Sequence, residues 1–332
     1  MNLVSIVSSG RNIGLGHLGR TIKLNQYFRY RKKKINSYFI TNNNDAKEQI
    51  IKFNFNHINI DFRNDAKILD QLEKIRPKLI ILDTYLLKNK IKRKIFKKYK
   101  EVLVIDDGYE KKHFCKYYLN YNFIDKKNLK KIKSKIKAKK YLIGYKFFPT
   151  NIKRISHKKK RNVLIFFGST DKFKIMQKTL KIISNNIFKN FIFYIIIGKY
   201  IKIKTKKYPN KNFKFFKTLS NEKFQNLLSK MEFAVGAGGV SLLERIFYKI
   251  TNLVITTAKN QYFGTNLLEK GEFINLAGKA DKISYVRYKK ELINFFFNLQ
   301  KNIVIKKKLK KIRFNNGLKE IYNHINLWKI NL

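Results

Sequence analysis

Short runs of β-branched and aromatic residues alternate with longer stretches whose apolar residues recur at helical spacing, and the alternation covers nearly the whole chain. That pattern is the mark of parallel sheets joined by crossover helices, an α/β fold. In the first half the strand-like runs are LVSIV, SYFIT, HINID, LIILD and VLVIDD. Helix-like segments such as KEQIIKFN and AKILDQLEKI lie between them, the second closed by the proline of RPK. After LIGYKFFPT the alternation lapses into the basic segment NIKRISHKKKR and restarts at NVLIFFGSTD, which predicts a domain boundary between residues 150 and 160. The second half offers NVLIFF, FIFYIIIG, FKFFK, FAVGAGG and NLVITTA as strands, and Ile303 to Ile321 reads as one basic, amphipathic closing helix.

At 332 residues the chain exceeds the roughly 250–300 at which a single core stops growing. The expected organisation is therefore an N-terminal Rossmann-like domain over 1–152, a C-terminal one over 160–300 and a closing segment over 301–332. Two doubly wound domains of this kind are expected to face one another across a cleft, with ligands held at the carboxyl ends of their strands.

Charge alters this picture less than its size suggests. Lys plus Arg number 75 against 21 Asp plus Glu, a formal net charge of +54, which alone would favour a polyanionic partner. The lysines are spread through runs such as RKKK, KNLKKIKSKIKAKK and HKKKR, in a chain also rich in Ile, Asn, Phe and Tyr and with only three prolines. This is the composition of AT-rich coding written onto solvated faces. The basic residues are mostly lysines on periodic helices, not arginines interleaved with aromatics on one face, so no nucleic-acid partner is expected. Weak adhesion to an anionic membrane surface is left open. A single cysteine, Cys115, excludes an internal disulfide, and five scattered histidines lack helical ligand spacing, so neither metal nor other cofactor is predicted. The apolar windows are far shorter than the ~20 residues of a membrane span, and the first one stops at SSGRN with no basic region before it. A cytoplasmic, monomeric protein is the expectation.

Three loops carry candidate chemistry. In SSGRNIGLGHLGR, glycines 10, 14 and 16 allow a tight turn ahead of a helix whose amide groups would point at a ligand. His17 sits at that helix start, where the positive helix end favours the neutral imidazole a general base requires, although capping or packing would also explain it. Arg20, one turn on, either orients an acidic group or pairs with a carboxylate of the fold. In FAVGAGGVSLLER, Gly238 and Gly239 form a bare turn, while Ser241 and Glu244 have the spacing of a capping box. The same residues suit a diphosphate at the helix end with Glu244 on ribose hydroxyls, a reading strengthened by a second loop of the kind, Gly168-Ser169-Thr170, in the same half. In TTAKNQYFG, Asn260 and Gln261 are amides able to read sugar hydroxyls. Asp83, Tyr85, Asp106 and Asp107 stand at strand ends in LIILDTY and VIDDG and are either ligand groups or turn residues.

Taken in order, GLGHLGR, DTY, VIDDG, FGSTD, VGAGGVSLLER and AKNQ resemble one family, the UDP-2,4-diacetamido-2,4,6-trideoxy-β-L-altropyranose hydrolases of pseudaminic acid biosynthesis. Their wider relatives are spore-coat polysaccharide proteins and GT-B glycosyltransferases of the UDP-N-acetylglucosamine type. The resemblance implies a GT-B fold, UDP held by the C-terminal domain, and metal-independent hydrolysis of a UDP-sugar at the anomeric carbon with inversion. It implies His17 as the catalytic base, and Gly16, Arg20, Tyr85, Asn260 and Gln261 as substrate-binding residues. Gly168, Ser169, Gly238, Gly239, Ser241 and Glu244 would hold UDP. A glycosyltransferase using a UDP-sugar donor is the competing expectation, because one base serves both reactions. The chain departs from the family pattern at Ser169, where a glycine is usual, and at Leu243, where a tryptophan is common.

Overall fold

A computed structural model describes residues 1–11, 13–108, 113–151, 160–217, 219–313 and 316–325. Most of the predicted basic segment, 152–159, and the stretch 326–332 of the closing segment lie outside these. The chain divides into two compact units, one of residues 1–151 with 315–332, the other of residues 152–314.

The first unit holds a seven-stranded sheet in the order β3-β2-β1-β4-β5-β6-β7, every neighbouring pair parallel. Its strands are β1 (Asn2–Val7), β2 (Asn36–Thr41), β3 (Asn56–Asn59), β4 (Leu79–Asp83), β5 (Val102–Ile105), β6 (Phe114–Asn120) and β7 (Lys137–Ile143). The central strands read as unbroken apolar runs because both faces are covered. On one face Val4, Ile6, Ile80 and Leu82 pack with Ile68 and Leu72 of α3 (Asp65–Ile75) and Ile91 and Ile95 of α4 (Asn89–Lys98). On the other, Val7 and Phe39 pack with Leu18 and Ile22 of α1 (Gly16–Arg31) and Ile50 of α2 (Lys47–Ile51). Each such side chain, fully buried, contributes about 1.5–3 kcal/mol.

The second unit holds a six-stranded parallel sheet in the order β10-β9-β8-β11-β12-β13. These strands are β8 (Asn162–Phe166), β9 (Ile192–Ile196), β10 (Phe213–Phe216), β11 (Phe233–Ala237), β12 (Thr251–Thr256) and β13 (Asn275–Lys279). One face packs on α6 (Ile175–Ile183) and α10 (Tyr285–Phe297), where Phe295 and Phe296 join Phe188, Phe191, Phe193 and Phe233 in an aromatic cluster. The other meets α7 (Asn221–Leu228) through Leu228.

Both sheets reverse their strand order at one point, between β1 and β4 in the first unit and between β8 and β11 in the second. Loops leaving such neighbours diverge to opposite faces and open a crevice at the carboxyl ends of the strands.

The closing segment differs from the single helix expected. It comprises α11 (Leu299–Lys311), part of the second unit, and α12 (Gly317–His324), part of the first. The break is local: Ile312 is extended after α11, and the Asn316 side chain accepts from the Lys319 amide to start α12. Among the described residues no helix is long and apolar enough to cross a membrane.

Candidate active site

At the switch point of the first unit, the loop between β1 and α1 needs its glycines. Gly10 and Gly14 have φ of +122° and +88°, conformations that side chains rarely adopt. A Cβ on Gly10 would also meet the Asn43 amide, which donates to Ser9 O at 2.6 Å, while Ser9 N donates to Asn42 Oδ1 at 3.1 Å. Helix α1 then begins at exposed Gly16 with no capping side chain and no acid in its first turn. Its inward face is polar: His17, Arg20, Thr21 and Asn25 are all buried, at the i, i+3, i+4 and i+8 positions of one stripe.

That stripe closes on Asp83, the last residue of β4 and wholly buried. Asp83 Oδ1 accepts from His17 Nδ1 at 2.6 Å and from Arg20 Nη2 at 2.5 Å; Oδ2 accepts from Arg20 Nε at 2.6 Å and Thr21 Oγ1 at 3.0 Å. Arg20 Nη2 also lies 2.9 Å from His17 Nδ1. A guanidinium can only donate, so this proximity reflects two N–H groups converging on one carboxylate oxygen, and the Nδ1 proton belongs to the bond with Asp83. In its neutral form the imidazole then carries its lone pair on Nε2, the arrangement a general base requires.

The charges balance within the cluster. Burial would raise the Asp83 carboxyl, but Arg20 and then His17 reverse that and hold it far below the usual carboxylate range. Burial likewise opposes the Arg20 charge, but Asp107 and Asp83 outweigh it and hold the guanidinium well above its ordinary value. Arg20 Nη1 donates to Asp107 Oδ1 at 2.6 Å and to the Tyr121 hydroxyl. Tyr85 Oη donates to Asp107 Oδ2 at 3.2 Å and accepts from Asp107 N at 3.2 Å; its ring stands edge-on to His17 with centroids 5.3 Å apart. Burial, and then the charge of Asp107, keep Tyr85 a neutral phenol. Asp106 accepts instead from His113 Nε2 at 3.1 Å and Tyr118 Oη at 3.2 Å, all three side chains being buried.

Of the two roles the sequence left to Arg20, the structure has pairing with carboxylates of the fold. Its side chain is 1% exposed and each nitrogen has a partner, so it positions His17 through Asp83. Sequence reasoning gave Thr21 and Tyr121 no place here. Thr21 was legible as part of the polar stripe at helical spacing with His17 and Arg20, while Tyr121 follows a strand that the pattern did not reveal.

In the second unit, the other group of expected residues gathers at the corresponding switch point. Gly168, with φ of +94°, and Ser169 follow β8; their backbone abuts Gly198, where any Cβ would collide, and Tyr200 N donates to Ser169 O at 2.9 Å. A basic cavity of about 870 Å³ beside them is lined by Gln177, Gly198, Lys199, Tyr208 and Lys217 among others. Gly238 and Gly239 follow β11, and α8 (Val240–Phe247) starts directly after, with extended Gly239 as its N-cap. The capping box does not form: the helix begins one residue before Ser241, no side chain caps it, and Ser241 falls inside the first turn. Glu244 is 6% exposed in the next turn.

Gly238 is held against α9 (Lys259–Lys270), where a Cβ would stand 2.5 Å from Thr265 Cγ2. The Gln261 side chain, expected to read a sugar, instead accepts from Gly238 N at 3.3 Å and Thr257 N at 2.9 Å and ties the two loops together. Asn260, one residue earlier, is exposed. Among the described residues no group of three or more His, Cys, Asp or Glu side chains is arranged to hold a metal ion.

No protein-family model matches the chain, and no curated protein matches its sequence. Solved structures do match over its full length. Acinetobacter baumannii MurG superposes with a TM-score of 0.67 at 10% identity, covering 98% of this chain and 99% of that one. A putative UDP-N-acetylglucosamine 2-epimerase from Listeria monocytogenes gives 0.66 at 10% identity, over 98% and 96%. Arabidopsis thaliana UGT89C1 complexed with UDP-L-rhamnose gives 0.64 at 11% identity, over 98% of each. Two parallel-sheet α/β units with these neighbours identify the fold of this chain as GT-B.

Proposed function

We propose that the protein hydrolyses a UDP-sugar, UDP-2,4-diacetamido-2,4,6-trideoxy-β-L-altropyranose or a close relative. The single observation that carries this reading is the His17–Asp83 bond, which fixes the tautomer of a histidine at the mouth of a switch-point loop. His17 Nε2 takes a proton from water as its oxygen bonds to the anomeric carbon. The bond from that carbon to the diphosphate breaks, its electron pair stays on the phosphate oxygen, and the sugar leaves with inverted configuration alongside UDP. Base catalysis of this kind contributes ~10²–10⁴-fold. The remainder comes from backbone N–H groups and helix starts that stabilise the departing diphosphate without a metal.

In this reading the second unit holds UDP through Gly168, Ser169, Gly238, Gly239 and Ser241, with Glu244 on the ribose. The UDP-L-rhamnose complex of a neighbour with the same fold supports a UDP-sugar ligand. Gly16, Tyr85 and Asn260 contact the sugar, while Arg20 and Gln261 position the groups that do. The test is UDP release from that substrate, in chelator and without acceptor, beside His17→Ala. Release that falls by about a hundredfold or more in the variant supports the hydrolase. UDP binding with no release until an acceptor alcohol is added would instead make the protein a glycosyltransferase.

A further inference from the structure

The turn between β11 and α8 rests on a residue that the reading above does not use. Arg245, in the second turn of α8, has no exposed surface. Its Nη2 donates to Ala237 O at 2.5 Å and its Nε to Ser241 O at 3.3 Å, so the guanidinium spans the turn from beneath and grips it on both sides. Its Nη1 is buried without a hydrogen-bond partner among the described residues. The strand above is cut away to admit it: a Cβ on Gly236 would stand 2.6 Å from Arg245 Nη1 and would also strike Phe166 O at the end of β8. The cation thus lies under the point where β8 and β11 part, which is also the root of the Gly168 and Gly238–Gly239 loops.

A buried guanidinium is costly unless a negative charge balances it. Asp83 and Asp107 do this for Arg20, but among the described residues Arg245 has no such pair: its bonds go to neutral carbonyls, and Glu244 acts on it through space. Burial accordingly pulls it down to about 9, so at neutral pH it still carries its charge. Directly above, α8 presents an N-terminus that no side chain caps. Two unbalanced positive features, one a helix start and one a buried cation, meet at a turn made of glycines.

We propose that Arg245 is the buried counter-charge and positioning residue for a diphosphate seated on the Gly238–Gly239 turn, an inference that rests on the second unit binding UDP. Its grip on the Ala237 and Ser241 carbonyls fixes the shape of the turn, and its charge, which among the described residues meets only Glu244 and only through space, is matched by the ligand. The phosphates of a nucleoside diphosphate are the part of the ligand it serves; the nucleoside is not.

Calorimetric titration of UDP, UMP and uridine into the wild type, Arg245→Gln and Arg245→Lys separates these contributions. Gln keeps a donor for Ala237 O but no charge; Lys keeps the charge. The expected result is that Gln lowers the UDP-over-uridine preference by at least about tenfold, the scale of a lost buried charge interaction, whereas Lys keeps it within about threefold. Equal losses for UDP and uridine in Arg245→Gln would make the residue structural only and overturn the proposal, as would an unchanged preference. Should the Gln variant not fold, a folded Lys variant that loses the preference overturns it alone. A wild type without any UDP preference would remove the UDP reading itself, an outcome distinct from a wild-type preference that survives in Arg245→Gln.

Discussion

Replacing Asp83 with Asn keeps the volume and removes the charge on which the first unit's site converges. Asp83 is fully buried and accepts from His17, twice from Arg20, and from Thr21. In the Asn variant one acceptor becomes an NH₂ group facing N–H or O–H donors, and Arg20 keeps only Asp107 as a counter-charge. Removing one partner of a buried ion pair costs about 3–5 kcal/mol. That is a large part of the ~5–15 kcal/mol that stabilises an ordinary protein, so the urea midpoint should drop steeply. An Asn NH₂ turned toward His17 also favours the tautomer with its proton on Nε2, which blocks the base, so UDP release should fall by ~10²–10⁴. The acid limb should change as well. A carboxyl held below its unfolded value, ~3.9, contributes stability that is fully present above that pH and is lost as pH falls from there toward its folded value. The wild type should therefore lose stability below about pH 4, and Asp83→Asn should narrow the gap to the wild type there. Urea unfolding at pH 7 and pH 3, with UDP release at pH 7, checks both parts. A folded Asp83→Asn protein with wild-type release would refute the orientation of His17 by Asp83, and an unchanged urea midpoint would refute the balance of charges around Arg20.

His17→Ala should lose activity by about a hundredfold or more yet shift stability by only ~1 kcal/mol, since one hydrogen bond to Asp83 is lost while three stay. Gly238→Ala places a methyl 2.5 Å from Thr265 Cγ2, and should cost about 1–3 kcal/mol and weaken UDP binding, read by thermal unfolding with and without UDP. Cys115, the only cysteine, is buried, and burial pushes its thiol up to about 12; a disulfide reagent at pH 8 should react with native protein only as fast as the fold opens, and rapid labelling would contradict its placement.

What the sequence revealed followed from two-sided burial. LIIL and VLVI are apolar throughout because helices cover both faces of β4 and β5, so they stand out without any alternation. Strand β7, KAKKYLI, sits at a sheet edge with most lysines exposed, and β13, NLAGK, carries a glycine at φ of +132°; neither has the apolar run that marks a central strand. Losing β6 and β7 from the reading also hid Tyr121, which β6 delivers to Arg20. His17 was visible because a helix start after a glycine turn is a local pattern. Its partner was visible only as a strand-end aspartate, since 66 residues separate the two and no spacing rule joins them. Ser241 and Gln261 show the opposite limit, where a short pattern does not carry the local geometry: α8 begins one residue before Ser241, so the capping box does not form, and the Gln261 amide oxygen accepts from Gly238 and Thr257.

The division of the closing segment bears on the order in which the protein is made. Helix α12 packs on α1, with Tyr322 edge-on to Tyr27 at 6.0 Å, and Gly317 fits against Phe148, where a Cβ would overlap the carbonyl. Ile321 and Ile325 have no exposed surface. A ribosome must therefore complete the whole second unit before the first receives its last helix, and until then Phe28 and the surface around Phe148 lack their cover. The second unit is one continuous segment and can close while synthesis continues. Nascent chains should accordingly expose a sticky N-terminal intermediate, a natural client for chaperones, for the time needed to translate about half of the gene.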